Sequence, residues 1–319
     1  MSRAARWLLS VAAALILLRA AMCVAVQPST RRDWSTDQAV LPVAEIRGNL
    51  ATIRNIRNFT YRTTDDYTPA YYDKTFDLNK LESAWFVVEP FGKGGAAHTF
   101  VSFGFGGNDF VAISVEIRKE KGESFSVLKG LMRQYEVMYV IGDERDLVKL
   151  RTNYRNDTVY LYPVRTTREK MRRMFVSMLE RTNKLAREPE FYNTATNTCT
   201  TNLVSHVNHI TPKKVPFSVA TLLPANSDRL AYDLGLIDTN LPFENARRKF
   251  QINELAKRYA DDPQFSLRIR EKALAPWGRS SRVRWARRPP LHRFGVRNQA
   301  ASATSCCHGL LMASSLASD

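Results

Sequence analysis

From Ala84 to Val164 the chain passes through five short runs crowded with β-branched and aromatic residues, and these commit it to a sheet. They are Ala84 to Val88, His98 to Phe105, Phe110 to Arg118, Glu136 to Ile141 and Val159 to Val164, each bounded by Gly, Asn or Asp. Between the second and third lies Gly106-Gly107-Asn108-Asp109, which reads as a short hairpin loop. With Phe105 paired to Asp109, the register carries His98 opposite Glu116; a slip of one residue puts Val115 or Ile117 there instead. Helical periodicity follows the strands. Thr166 and Glu169 form a capping box ahead of Met171, Met174, Phe175, Met178, Leu179 and Leu185, whose spacing is that of a buried helix face. A second helix starts near Cys199, capped by Asn197 or Thr198, and runs to about Ile210. A third, Glu244 to Tyr259, is charged enough to lie on the surface. A mixed sheet followed by helices predicts an α+β fold.

The ends differ from this middle. Arg3 and Arg6 precede the apolar run WLLSVAAALILL, Trp7 to Leu18, which suits the core of a signal peptide. Continued through Arg19 to Val26, the segment reaches the roughly 20 residues of a membrane anchor. Either reading, for residues 1–26, exports the remainder to the periplasm or the outer face of the cytoplasmic membrane. Residues 27–50, polar and containing Pro28 and Pro42, read as a linker, and residues 51–270 as the domain. Residues 271–319 read as a basic disordered tail: beyond Pro276 there are seven Arg, no Lys and one acid, with no apolar period.

That tail holds +6 of the formal charge of +16, and the rest is scattered among acids without an aromatic-basic stripe. The charge therefore favours an anionic membrane surface over nucleic acid. No metal or cofactor motif is found: Gly92-Lys93-Gly94-Gly95 lacks the ending of a phosphate loop, and Asp143, Glu144 and Asp146 read as a solvated turn.

Chemistry is suggested by a solitary thiol. Of four cysteines, Cys23 is in the leader, Cys306 and Cys307 are in the tail, and only Cys199 is in the domain. An exported domain stapled by disulfides would hold pairs. A nucleophilic thiol needs help to ionise, and a helix N-terminus supplies part of it. The rest comes from a histidine. His206 is two turns beyond Cys199, about 10.5 Å along a helix, His209 is further, and His292 and His308 are in the tail. His98 remains, behind the small residues Gly94, Gly95, Ala96 and Ala97. Glu116 is the first choice to orient its ring and Ser114 the second.

The stretches RNIRNFTYRTTDDYTPAYYDKTFDL, AAHTFVSFGFGG, VAISVEIRKEKGE, DERDLVKLRTNYR and FYNTATNTCTTN resemble the Lnb N-terminal periplasmic domain family, over about Asp33 to Arg270. Members are lipoprotein intramolecular transacylases. The resemblance implies a permuted papain-like (NlpC-type) antiparallel sheet packed against a cysteine-bearing helix, with Cys199 and His98 at the catalytic positions. The sequence departs from the family in two ways. The asparagine expected directly before the cysteine is displaced to Asn197, and the C-terminal membrane helices of full-length transacylases are missing. The expectation is an envelope thiol acyltransferase or hydrolase working through a thioester on a membrane lipid or lipoprotein. Catalysis is assigned to Cys199, His98 and Glu116, and Thr200, Asn197 and Gly95 are candidates for oxyanion or substrate contacts. A cell-wall cysteine peptidase or amidase, and a non-enzymatic envelope binding module, are the alternatives.

Overall fold

A computed structural model of the chain describes residues 2–8, 10–11, 13–14, 26–91, 95–212, 214–216 and 224–274. The chain divides into two compact units, Met1–Ala275 and Pro276–Asp319, and the description concerns the first. Much of the leader, the tail with its cysteines and histidines, and Gly92 to Gly94 lie outside the described residues. Among those described, no helix is long and apolar enough to cross a membrane.

The architecture is mixed α/β. Among the described residues ten strands run β1 (Val43–Arg47), β2 (Leu50–Arg57), β3 (Thr60–Tyr61), β4 (Tyr67–Thr68), β5 (Tyr71–Asp77), β6 (Ser83–Pro90), β7 (Ala97–Gly104), β8 (Phe110–Arg118), β9 (Glu136–Gly142) and β10 (Tyr160–Pro163). Eight form one sheet in the order β1-β2-β9-β8-β7-β6-β10, with β5 on the other side of β2; β3 and β4 make a separate small hairpin. All pairings are antiparallel except the single parallel bridge of Arg57 to Gly142. The central strands are covered on both faces, and every residue of β9 is buried. Alternation sends Val111, Ile113 and Val115 into one core with Phe175, Met178 and Leu203, and sends Ala112 into a second with Leu147, Ile252 and Phe265.

The helices around the sheet are α1 (Val127–Leu131), α2 (Glu144–Lys149), α3 (Arg168–Arg187), α4 (Cys199–Ile210), α5 (Ser227–Asp233), α6 (Phe243–Phe250), α7 (Asn253–Arg258), α8 (Phe265–Arg268) and α9 (Glu271–Leu274). The cap of α3 is Thr167, one residue later than expected, and its side chain accepts from Lys170 N. The methionines of α3 are core, as their spacing predicts.

Three expectations are corrected. Residues 27–50 are not merely a linker. Val43–Arg47 pairs along β2, and Trp34 is buried with the Arg118 guanidinium 4.2 Å above its ring. The surface helix Glu244 to Tyr259 is two short helices broken at Gln251-Ile252, and Ala246, Phe250, Leu255 and Ala256 face the core. The turn at Asp143, Glu144 and Asp146 is not solvated. Glu144 and Asp146 are fully buried at the start of α2 and paired with the buried guanidinium groups of Arg270 and Arg57. Asp143 caps α2 through Arg145 N. Its density of charge disguises a segment in which Glu144 and Asp146 each have an arginine waiting in the core.

Candidate active site

Cys199 is the first residue of α4. Thr198 caps that helix by accepting from Thr201 N, and the Thr201 hydroxyl accepts from Thr198 N in return, a reciprocal box that fixes where the helix begins. Ahead of it, Asn193 closes a turn by accepting from the amides of Ala195 and Thr196. Asn197 donates to Phe191 O and accepts from Asn202, so its side chain braces this loop. The thiol is buried and is the free cysteine among the described residues.

His98 arrives from the sheet. The hairpin closes with Phe105 N donating to Asp109 O, and the ladder runs from Gly104 opposite Phe110 to Phe100 opposite Ser114. Two residues further on, the same register carries His98 toward Glu116. The ring shares the face of Phe100, while the next residue, Thr99, bonds through its hydroxyl to Thr200 on the cysteine helix at 3.1 Å. Strand and helix thus meet near the start of β7.

Nε2 of His98 lies 2.6 Å from Ser114 Oγ and 3.0 Å from Glu116 Oε1, and the Ser114 hydroxyl donates to that same carboxylate oxygen at 2.6 Å. The thiol is close enough to the same ring for each to shift the other's titration. Burial opposes the imidazolium, but the Glu116 charge and the bond to the thiol outweigh it and push His98 up to about 10. Burial likewise opposes the thiolate. The His98 bond and charge, followed by the backbone and hydroxyl of Thr99, outweigh it and hold Cys199 below its ordinary range. For Glu116, burial is overcome by His98, Arg151 and Ser114, which keep the carboxyl well below its usual value. These neighbours favour the thiolate and the imidazolium together, with a carboxylate behind the ring.

Arg151 is the residue the sequence reading missed. It sits in a π turn, Leu150–Tyr154, that continues α2, and its guanidinium is almost wholly buried. Nη2 donates to Glu116 Oε1 at 2.8 Å, and Nε donates to Glu89 Oε2 at 2.6 Å. Glu89 is the β6 partner of His98. One arginine thus fixes carboxylates on both strands that flank the histidine. Thr99 is the second omission, and its signal was present as the residue following His98.

His206 is placed elsewhere. Nε2 meets Tyr139 Oη at 2.8 Å and Nδ1 meets Ser177 Oγ at 2.9 Å. Burial first, then the charges of Arg181 and His209, hold it down to about 4. It is a neutral core histidine. Gly95 has a positive φ of 84° and its carbonyl accepts from Ala225 N, which ties the start of β7 to the segment before α5. The open space expected around Gly94 falls partly outside the described residues.

An apolar cavity of about 160 Å³ runs along α4 from Thr200 onward, and neither Cys199 nor His98 is in its wall. Thr200, whose hydroxyl is 3.8 Å from the Cys199 sulfur, is in its wall. The wall follows α4 through Leu203, Val204 and Val207 to Ile210, facing Phe86 and Val101 of the sheet and Met174 of α3.

A thiol at a helix start, a histidine on the adjoining strand and a carboxylate behind it lie together on a mixed α/β scaffold. Residues 67–225 match the Lnb N-terminal periplasmic domain, and the chain belongs to that family. Its location is accordingly periplasmic. No curated protein and no solved structure matches the chain.

Proposed function

We propose that the domain is an envelope acyltransferase or hydrolase in which Cys199 takes an acyl group from a lipid or lipoprotein ester. The observation that carries this is the polarised thiol, ring and carboxylate, with an apolar cavity whose wall begins at the next residue, Thr200. From Thr200 to Ile210 the wall extends about 15 Å along the helix, an apolar lining suited to part of an acyl chain. A peptide would leave its amides unpaired against such a lining. The order of histidine strand before cysteine helix supports a permuted papain-like reading of the fold.

In the first step the thiolate attacks the ester carbonyl, forming the S–C bond. The C–O bond then breaks as His98 gives its proton to the departing alkoxide. An amine, such as a lipoprotein N-terminus, or water resolves the thioester, with His98 taking the proton back. The backbone N–H groups of Cys199 and Thr200 at the helix start would hold the oxyanion. Ser114, Glu116 and Arg151 keep the ring protonated and oriented.

The cavity makes this testable with aryl esters of graded chain length. Val204→Trp is expected to lower kcat/KM for a long-chain ester roughly 10-fold or more while leaving the acetyl ester close to wild type. Equal rates at every chain length in both proteins would remove the cavity from the account.

A further inference from the structure

The sharpest concentration of exposed apolar surface is not in the cavity but on the short segment around α1. Phe125, Val127, Leu128, Leu131 and Met132 are each at least 41% exposed within eight residues. Outside the leader, no other stretch of eight described residues exposes more than two large apolar side chains. Soluble surfaces seldom carry such a cluster without a use for it.

The segment is fastened firmly. Ser126 caps α1 by accepting from Lys129 N, and its own amide donates to Tyr135 Oη, whose hydroxyl donates to Ser124 O. Thr194 donates to Val127 O at 2.9 Å. Gly130 lets the two segments close together: a Cβ there would lie 2.3 Å from Thr194 Oγ1 and 3.1 Å from the Tyr192 ring. Tyr192 is in turn pushed up by burial, with the charges of Cys199 and Glu116 adding to the effect. The tip is thus mounted on the loop that leads into the nucleophile.

We propose that residues 125–132 form a docking tip that inserts into an anionic lipid bilayer and presents the membrane surface to Cys199. Two observations select lipid over a protein partner. The helix carrying 127, 128 and 131 is only five residues long, too short to offer the i, i+3, i+4, i+7 anchors that seat a helix in a protein groove. The charge set among them is cationic: Lys129 has no ion-pair partner among the described residues, and Arg133 follows, its guanidinium 5.8 Å from the Phe191 ring. Apolar residues with interleaved cations suit the boundary between headgroups and acyl chains. Docking does not depend on the acyl chemistry and is expected unchanged in Cys199→Ala.

The test uses the full chain, in wild-type and Cys199→Ala backgrounds, on vesicles of phosphatidylethanolamine and phosphatidylglycerol. A benzophenone amino acid replaces Leu128, Leu131 or, as an equally exposed control, Leu50. The leader is the same in every protein, so attachment by the leader contributes equally to all. Irradiation is expected to give phospholipid adducts at 128 and 131 about tenfold above those at 50, and omission of phosphatidylglycerol is expected to lower them. Equal adducts at 50, a cross-linked second copy of the chain in place of lipid, or no lipid adduct at 128 and 131 would each overturn the proposal.

Discussion

His98→Ala is expected to slow acyl transfer by about 10²–10⁴-fold without unfolding the domain, because the ring lies near the start of β7 and the substitution keeps the strand's backbone pairing. The reason is electrostatic as much as chemical. The ring supplies the charge and the hydrogen bond that hold the Cys199 thiol below its ordinary range, so its loss returns the nucleophile toward an un-ionised thiol. The pH profile separates the two roles. Wild-type activity needs the thiolate on the acid side and the imidazolium on the alkaline side, and the two protons belong to a coupled pair. The acid limb should therefore lie below the ordinary thiol range and the alkaline limb near the His98 value of about 10. Glu116→Gln removes the largest charge favouring the imidazolium, and the alkaline limb should move to lower pH. An alkaline limb unmoved by Glu116→Gln would mean that the carboxylate does not govern the ring. The same shift bears on stability. His98 is raised on folding, so its contribution is complete below its ordinary value of 6.5 and is lost as pH rises through about 10.

The second large effect concerns the scaffold. Arg270→Met should destabilise the domain by roughly 3–5 kcal/mol, since it leaves a buried carboxylate without its partner. Arg270 Nη1 donates to Glu144 Oε2 at 2.8 Å, both groups are fully buried, and the guanidinium lies 3.8 Å over Phe110 and 4.8 Å over Trp85. In a domain of this size the loss corresponds to a fall in Tm of about 6–20 °C. Arg270→Met combined with Glu144→Leu should recover much of it, because both charges then leave the core together. A double variant no better than the single would show that packing of the arginine stem, and not its charge, is what the site requires.

Glu144, Asp146 and Arg151 also explain why part of the protein was illegible from sequence. In DERDLVKLRTNYR the charges suggest a wet turn, and nothing local reveals that Arg57, Glu116 and Arg270 converge on it from distant segments. The pairing of His98 with Glu116 was legible for the opposite reason. The two strands are joined by a tight glycine loop, so fixing Phe105 against Asp109 fixes every later pair. The start of α4 was legible because Thr198 and Thr201 cap it locally. β1, β2 and β5 were missed: their outer faces carry Glu45, Arg54 and Asp73, which breaks the apolar run that marks a strand buried on both sides. The helix read across Glu244 to Tyr259 breaks at Gln251 and Ile252, where Ile252 N donates to Val159 O, a tertiary bond that periodicity does not report.

The central claim is that Cys199 carries an acyl group, and intact-protein mass after a brief incubation with a diacylglyceryl lipopeptide tests it most directly. The account predicts a single added acyl group, mapped to Cys199, released by neutral hydroxylamine as a thioester and absent from Cys199→Ala. An unmodified Cys199 under conditions where the lipopeptide is turned over, or the same adduct persisting in Cys199→Ala, would contradict it.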